Sequence, residues 1–147
     1  MNIIDDKQMD VNNGVFNENN HGTGVHWADY DNDGDMDLLL SQFAHPWFRV
    51  DSVDHRTLTI YRNEGGPDYK FTDMDGQLGI RFEETSAGAA WGDVNNDGLM
   101  DIIRTTYYPC RYIDLYIQKP DHTFEDKTFE YGLFKTVNGD NTKGNDA

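Results

Sequence analysis

Closely spaced carboxylates are the residues of this sequence whose types and spacing are best suited to chemistry. The stretch 29–37 reads DYDNDGDMD, and the stretch 93–101 reads DVNNDGLMD. Eight Asp residues fall within these two stretches, in a chain whose net charge is −15. Carboxylates that alternate along a tight loop repel one another unless a cation lies between them, and calcium takes six to eight such oxygens. The pattern therefore predicts two calcium-binding loops.

Each loop offers a defined set of oxygen ligands. Gly34 and Gly98 stand where the loop turns sharply and φ becomes positive. The first loop has four side-chain carboxylates and the second has three, which predicts tighter calcium binding at the first loop. The predicted ligands of the first loop are the side chains of Asp29, Asp31, Asp33 and Asp37 and the backbone carbonyl of Asp35. Those of the second loop are the side chains of Asp93, Asn95, Asp97 and Asp101 and the backbone carbonyl of Leu99.

Other kinds of Asp-rich loop explain this pattern less well. An ordinary turn also favours Asp, Asn and Gly, but it needs no Asp at the ninth position, at the head of a hydrophobic strand. An EF-hand needs a bidentate Glu at its twelfth position and helices on both sides. The twelfth positions here are Leu40 and Arg104, and the flanking residues have the character of strands. We therefore interpret the loops as calcium sites between strands.

The two loops belong to a longer internal repeat. Residues 24–28 read GVHWA and residues 88–92 read GAAWG, with Asp93 standing 64 positions after Asp29. The offset becomes smaller downstream because the first copy has a longer connection, at 43–53. The other corresponding stretches are Leu38-Leu39 and Ile102-Ile103, Leu58–Tyr61 and Ile113–Tyr116, Phe71 and Phe124, and Gly79 and Gly132. A repeat of this length predicts two tandem units of the same supersecondary structure.

Each unit is predicted to form four short strands, one before its loop and three after it. No stretch has the apolar spacing of a helix, so we predict an all-β chain. The predicted strands of the first unit are Thr23–Ala28, Asp37–Gln42, Leu58–Asn63 and Lys70–Met74. Those of the second unit are Ala87–Gly92, Asp101–Tyr107, Ile113–Gln118 and Thr123–Lys127. We place the units at 23–80 and 81–135, with a preceding blade end or linker at 1–22 and a polar tail or link to a further blade at 136–147.

The loops, their flanks and the repeat length resemble FG-GAP and VCBS repeats, the blades of calcium-binding β-propellers such as the integrin α-subunit head. Residues 24–37 and 88–101 carry this resemblance, and residues 58–63 and 71–73 resemble the bacterial and cartilage-acidic-protein branch. No Gly-Ala-Pro follows the second strand, so the similarity is to the looser VCBS form. The resemblance implies two tandem four-stranded antiparallel blades, which form a partial propeller because a closed ring has four to eight blades.

Charge and composition exclude several classes of partner and site. A net charge of −15 argues against nucleic acid, whose phosphates require clusters of Lys and Arg. The longest aliphatic run, Leu38–Leu40, is far too short to span a bilayer. Cys110 is the only cysteine, so the chain has no disulfide framework, and the five histidines show no zinc spacing. Trp27 and Trp91 repeat in step with the strands and are predicted to lie in the core between blades.

These observations predict a non-enzymatic recognition or adhesion module that presents loops to a protein or glycan. The aromatic residues of the insertion at 43–48 are the candidate contact surface, and the alternative is a loop that packs these aromatic side chains back onto its own blade. The alternative is a scaffold fragment of a secreted propeller enzyme, such as a polysaccharide lyase or hydrolase, with its catalytic residues elsewhere. Extracellular calcium modules bind at roughly 10⁻⁴–10⁻³ M. We therefore expect an extracellular, periplasmic or cell-surface protein, although this sequence shows no export signal.

Overall fold

The computed structural model describes residues 20–44, 58–74, 76–80, 86–106 and 113–133, and within these residues the chain forms eight strands. The first sheet contains β1 (Asn20–Ala28), β2 (Asp37–Ala44), β3 (Leu58–Asn63) and β4 (Phe71–Asp73). The second contains β5 (Ser86–Gly92), β6 (Asp101–Thr106), β7 (Ile113–Gln118) and β8 (Phe124–Asp126). Both sheets are antiparallel, and their strands lie in chain order. Within the described residues, the prediction of an all-β chain with two four-stranded antiparallel sheets is confirmed.

The observed strands differ from the predicted ones only at their ends. β1 begins at Asn20 and β2 continues to Ala44, because these two residues pair with each other beyond a bulge between Gly22 and Gly24. β4 and β8 are shorter than predicted, since each forms only three residue pairs with its neighbour. Residues 45–48 of the insertion at 43–48, which was predicted to contact a partner, lie outside the described residues. So do Tyr107 and both predicted flanking segments apart from residues 20–22.

Side chains alternate across each sheet, so each sheet has two faces of different composition. We call one side the Trp face, because a Trp on its first strand stands in cross-strand register with apolar residues of the next two. We call the other side the aliphatic face. The marker residues of the Trp faces are Trp27, Leu38 and Tyr61 in the first sheet and Trp91, Ile102 and Tyr116 in the second. Those of the aliphatic faces are Leu39 and Ile60 in the first sheet and Ile103 and Leu115 in the second.

The main hydrophobic core lies between the two sheets. The aliphatic face of the first sheet packs against the Trp face of the second, so that the sheets are stacked in the same orientation, front to back. Burying one aliphatic side chain contributes roughly 1.5–3 kcal/mol, so this interface is the main source of stability that the sequence pattern provides. The cluster comprises Tyr30, Leu39, Leu58, Ile60, Met74, Leu78, Ile102, Tyr116 and Phe124.

The two Trp residues differ in burial, although the sequence predicts the same role for both. Trp91 is half-buried against the core cluster, as predicted for a residue between blades. Trp27 is 52% exposed and touches only the edge of Phe71 among the rings of its own sheet. The prediction for Trp27 is wrong in this structure, because among the described residues no sheet packs on the Trp face of the first sheet.

Candidate metal centre

The two loops have the same backbone conformation, which the sequence produces in the same way in both. Asn32 and Asn96 take φ values of 58° and 59°, and the following Gly34 and Gly98 take 96° and 86°. Asn and Gly tolerate this left-handed region better than other residues. The result is a tight turn that directs the loop's amide N–H groups inward.

The carboxylate of the first Asp in each loop accepts hydrogen bonds from backbone N–H groups later in the loop and so holds the turn together. Asp29 accepts hydrogen bonds from the N–H groups of Asp33 and Gly34, each at 3.0 Å. Asp93 accepts the corresponding bonds from Asp97 and Gly98, at 3.1 and 2.9 Å. An Asp at these positions therefore has a structural role in addition to any ligand role, because each oxygen keeps a second lone pair for a cation.

The ninth Asp joins each loop to the third strand of its sheet. Asp37 is fully buried and accepts hydrogen bonds from the N–H of Tyr30 at 3.0 Å and of Asn63 at 2.8 Å. Burial outweighs these bonds and raises the pKa of Asp37 to about 6. Asp101 makes the equivalent pair of bonds in the second sheet, to Val94 and Gln118, and burial raises its pKa as well.

Three carboxylates of the first loop converge on one point. Asp29, Asp31 and Asp37 each place an oxygen within 4.8 Å of the other two, so this triad could hold a metal ion. Asp31 Oδ1 is buried and has no hydrogen-bond partner, unlike the oxygens of its two neighbours. Burial raises the pKa of Asp31, and the nearby Asp33 carboxylate adds to that effect. Three hard oxygen donors with one left unsatisfied suit a calcium ion.

The second loop directs its polar atoms toward one another instead. Asn95 donates through Nδ2 to Asp97 Oδ2 at 2.9 Å, and its Oδ1 accepts from the N–H of Asp97 at 3.0 Å. Both polar atoms of the Asn95 amide are thus hydrogen-bonded within the second loop, and residues 94–98 are exposed. Among the described residues, the triad of the first loop is the only such group of three His, Cys, Asp or Glu side chains.

The side chains of Asp33, Asp35 and Asp97, which were also predicted near the metal sites, do not belong to the triad. Asp33 and Asp97 each accept a hydrogen bond at 2.9 Å from the N–H two residues later, which belongs to Asp35 in the first loop and to Leu99 in the second. The Asp35 side chain lies over Gly65 in the turn between β3 and β4, where a Cβ would collide with its carboxylate. The side chains of Asp33 and Asp35 therefore order the first loop and its surroundings.

Sequence reasoning missed the contribution of the second unit to the first loop. Gln118, which is buried at the end of β7, donates from Nε2 to the carbonyl of Tyr30 at 3.0 Å. Its Oε1 accepts from the N–H of Met100, and its own N–H donates to Asp101. Tyr30 in turn stacks on Trp91, with ring centroids 5.9 Å apart. One side chain therefore connects the two loops across the sheet–sheet interface.

A sequence signal for this bridge does exist in the repeat. Gln118 occupies the position of Asn63, which bonds the carbonyl of Met36 in its own loop through Nδ2 at 3.3 Å. The extra methylene of Gln gives it a longer reach than Asn has. His122 also lies beside this site, edge-on to the Tyr30 ring, with the two ring centroids 6.5 Å apart.

No family model, curated protein or solved structure matches this chain significantly. The resemblance to FG-GAP and VCBS repeats therefore stays a prediction. None of the described residues forms a long apolar helix of the kind that crosses a bilayer.

Proposed function

We propose that this chain is a calcium-binding module whose principal site is the first loop and whose weaker site is the second loop. The observation that carries this proposal is the buried, unbonded Oδ1 of Asp31 next to the carboxylates of Asp29 and Asp37. A buried polar atom without a partner costs about 1–3 kcal/mol. A cation at the centre of the triad removes that cost and the repulsion among the carboxylates.

The donor set favours calcium over other common metals. Every side chain of the triad offers carboxylate oxygen, which hard cations prefer, and neither imidazole nor thiolate belongs to the group. Bound calcium would supply the positive charge that balances the loop. Asp29 winds the loop, Asp37 holds it against β3, and Asp31 provides the oxygen that the fold leaves unsatisfied. Magnesium fits less well because it requires near-ideal octahedral geometry.

At the level of the fold, the two sheets are proposed to be consecutive blades of a propeller-type array of the FG-GAP or VCBS kind. Tandem repeats, front-to-back stacking of the sheets and the position of both loops between first and second strands support this proposal. The module would act outside the cell as a non-enzymatic recognition surface for protein or glycan, with calcium stabilising the loops.

Thermal unfolding in calcium, magnesium and chelator tests the metal proposal. We expect calcium to raise the unfolding temperature more than equal magnesium does, and Asp31→Asn to remove most of that increment. Asp68→Asn is the matched control, because Asp68 is an exposed acid in the turn between β3 and β4. A chain whose unfolding temperature is the same in calcium and in chelator would refute the proposal.

A further inference from the structure

Tyr30 joins the first loop to the second unit, and it stands between two of the three carboxylates proposed to hold calcium. Its side chain is 1% exposed and belongs to the core cluster between the sheets. Its neighbours along the chain are Asp29 and Asp31, both members of the triad. A movement of either carboxylate therefore acts, through the adjacent peptide group, on a side chain that the second unit covers.

The backbone of Tyr30 is bonded on one side to the triad and on the other side to the second unit. Its N–H donates to Asp37 Oδ2 at 3.0 Å, and its carbonyl accepts from Gln118 Nε2 at 3.0 Å. Its ring stacks on Trp91, with an angle of 9° between the ring planes, and His122 lies edge-on to it. The first loop thus contacts the second unit through a residue whose position the triad helps to set.

The second loop has no such residue among those that the structure describes. Val94 occupies the position of Tyr30, and its N–H donates to Asp101 Oδ2 as that of Tyr30 does to Asp37. The side chain of Val94, however, is 47% exposed and belongs to neither core cluster. An effect of calcium on the packing between the units is therefore expected from the first loop.

We propose that calcium bound at the first loop strengthens the packing of the second unit on the first, so that this loop is a calcium-dependent clamp between the sheets. The inference rests on the proposed calcium site and adds a regulatory role to it. Without calcium, repulsion among the carboxylates of the triad loosens the chain on either side of Tyr30. Calcium draws these carboxylates to one point, which fixes the backbone of Tyr30 and with it the bond to Gln118 and the stack on Trp91.

The clamp must act in both directions. If calcium stabilises the contact between the units by a given factor, the contact strengthens calcium binding at the first loop by the same factor. Couplings of this kind change affinity by roughly 5–150-fold. Removing the contact from the side of the second unit should therefore weaken calcium binding at the first loop, although Gln118 is not a predicted ligand.

Amide hydrogen exchange, followed by NMR on the full chain, tests the clamp with the N–H of Phe124 as the reporter. This N–H donates to the carbonyl of Leu78 at 2.8 Å, across the contact between the units, so its exchange follows their local separation. We expect calcium to slow this exchange about tenfold, within the usual range of such couplings. Asp31→Asn should abolish the slowing. Asp97→Asn, the control in the second loop, should keep it, and it retains an oxygen for the N–H of Leu99.

Calorimetric titration of Gln118→Met with calcium tests the reverse direction. We expect the tighter calcium site to weaken by at least about fivefold. Gln77→Met is the matched control, because it alters an exposed glutamine of the first unit and should leave the affinity of that site unchanged. If Gln118→Met fails to unfold cooperatively, Trp91→Phe, which weakens the stack on Tyr30, replaces it.

The remaining outcomes overturn the clamp, and they distinguish it from the calcium site itself. Calcium that shifts the amide signals of the first loop but leaves the exchange of Phe124 unchanged would refute the clamp and retain the site. Slowing that persists in Asp31→Asn, or disappears in Asp97→Asn, would assign the effect to the second loop. An unchanged affinity in Gln118→Met would exclude the contact between the units as a source of binding strength. No response to calcium in any of these measurements would refute both the clamp and the site.

Discussion

The two loops have the same backbone conformation, but their side chains form different hydrogen bonds. Asp29 and Asp93 wind their loops in the same way, and Asp37 and Asp101 hold them to the third strands. The difference lies at the third position of each loop. Asp31 has a buried oxygen without a hydrogen-bond partner, whereas both polar atoms of the Asn95 amide form hydrogen bonds with Asp97.

This comparison separates the structural role of an Asp-rich loop from its role as a ligand site. Most of its carboxylates accept backbone N–H bonds, which an Asp-rich turn would also make without metal. The unsatisfied oxygen of Asp31 is the feature that hydrogen bonding within the loop does not account for, and it occurs in the loop that the second sheet covers. Gln118 and Trp91 close the first loop from that side. The second loop has no such cover among the described residues, and it is exposed.

The largest effect is expected from removing the ninth carboxylate. Asp37→Ala leaves the buried N–H groups of Tyr30 and Asn63 without acceptors and should cost about 2–5 kcal/mol without calcium. It should also abolish the calcium increment of the first loop, about 2.7 kcal/mol at a hundredfold excess over Kd. Asp101→Ala is the matched control because it breaks the equivalent bonds in the second sheet. Denaturant unfolding of both variants, with and without calcium, gives the two costs. A larger loss of calcium increment in Asp101→Ala would reverse the ranking of the loops.

The bridge between the loops should have the next largest effect. Gln118→Met keeps the length of the side chain and the backbone bond to Asp101 but leaves the carbonyl of Tyr30 and the N–H of Met100 unpaired. We expect a loss of about 1–3 kcal/mol in the free energy of unfolding. The matched change Gln77→Met affects an exposed side chain that bonds the carbonyl of Asp73, and it should cost less than about 0.5 kcal/mol. Equal costs in chemical denaturation would mean that Gln118 does not couple the sheets.

Converting the second loop to the first is a gain-of-function test of the comparison. Asn95→Asp removes the amide donor to Asp97 and adds a fourth carboxylate, as in the first loop. We expect the affinity of the second loop for calcium to rise about tenfold, or about 1.4 kcal/mol, in competition with a chromophoric chelator. Asn96→Asp, which adds the same charge at a position with no predicted ligand role, should have a smaller effect. If both variants gain equally, general electrostatics rather than ligand geometry is responsible.

A smaller effect is expected from pH. Because burial raises the pKa of Asp37 to about 6 in the fold, above the usual Asp value of about 4, the fold without calcium favours the protonated form. Its stabilising contribution is complete below pH of about 4 and is lost as the pH rises through about 6. Calcium needs the carboxylate, so its affinity should fall as the pH is lowered through the same range. The free energy of unfolding, measured with urea in chelator, should therefore change less between pH 4 and 7 for Asp37→Asn than for the unaltered chain. The same pH dependence in both proteins would contradict this assignment.

The sequence predicted those parts of the structure that local patterns control. The position of an Asp at the head of an apolar run located β2 and β6 correctly, and the repeat located β3 and β7 to the residue. The convergence of Asp29, Asp31 and Asp37 followed from their alternation in a tight loop. These features depend on residues within one unit, so a reading along the chain can find them.

Features that depend on contact between units were beyond the sequence pattern. Gln118 bonds the carbonyl of Tyr30 across 88 positions. The repeat aligns Gln118 with Asn63, which bonds its own loop, but it does not indicate that Gln118 bonds the loop of the other unit. Trp27 and Trp91 are equivalent in sequence, but among the residues that the structure describes only Trp91 has a second sheet packed against it, so the burial of each depends on contact between the units.

Isothermal calorimetry of calcium binding, on the unaltered chain and on Asp31→Asn, tests the central claim most directly. We expect the unaltered chain to bind with two affinities, and we expect Asp31→Asn to lose the tighter site while the weaker one keeps its affinity. The comparison of the unaltered chain with Asp31→Asn assigns the tighter site to the first loop, because Asp31 belongs to that loop alone. An unaltered chain that releases no heat of binding with calcium, or an Asp31→Asn variant that retains the tighter site, would contradict it.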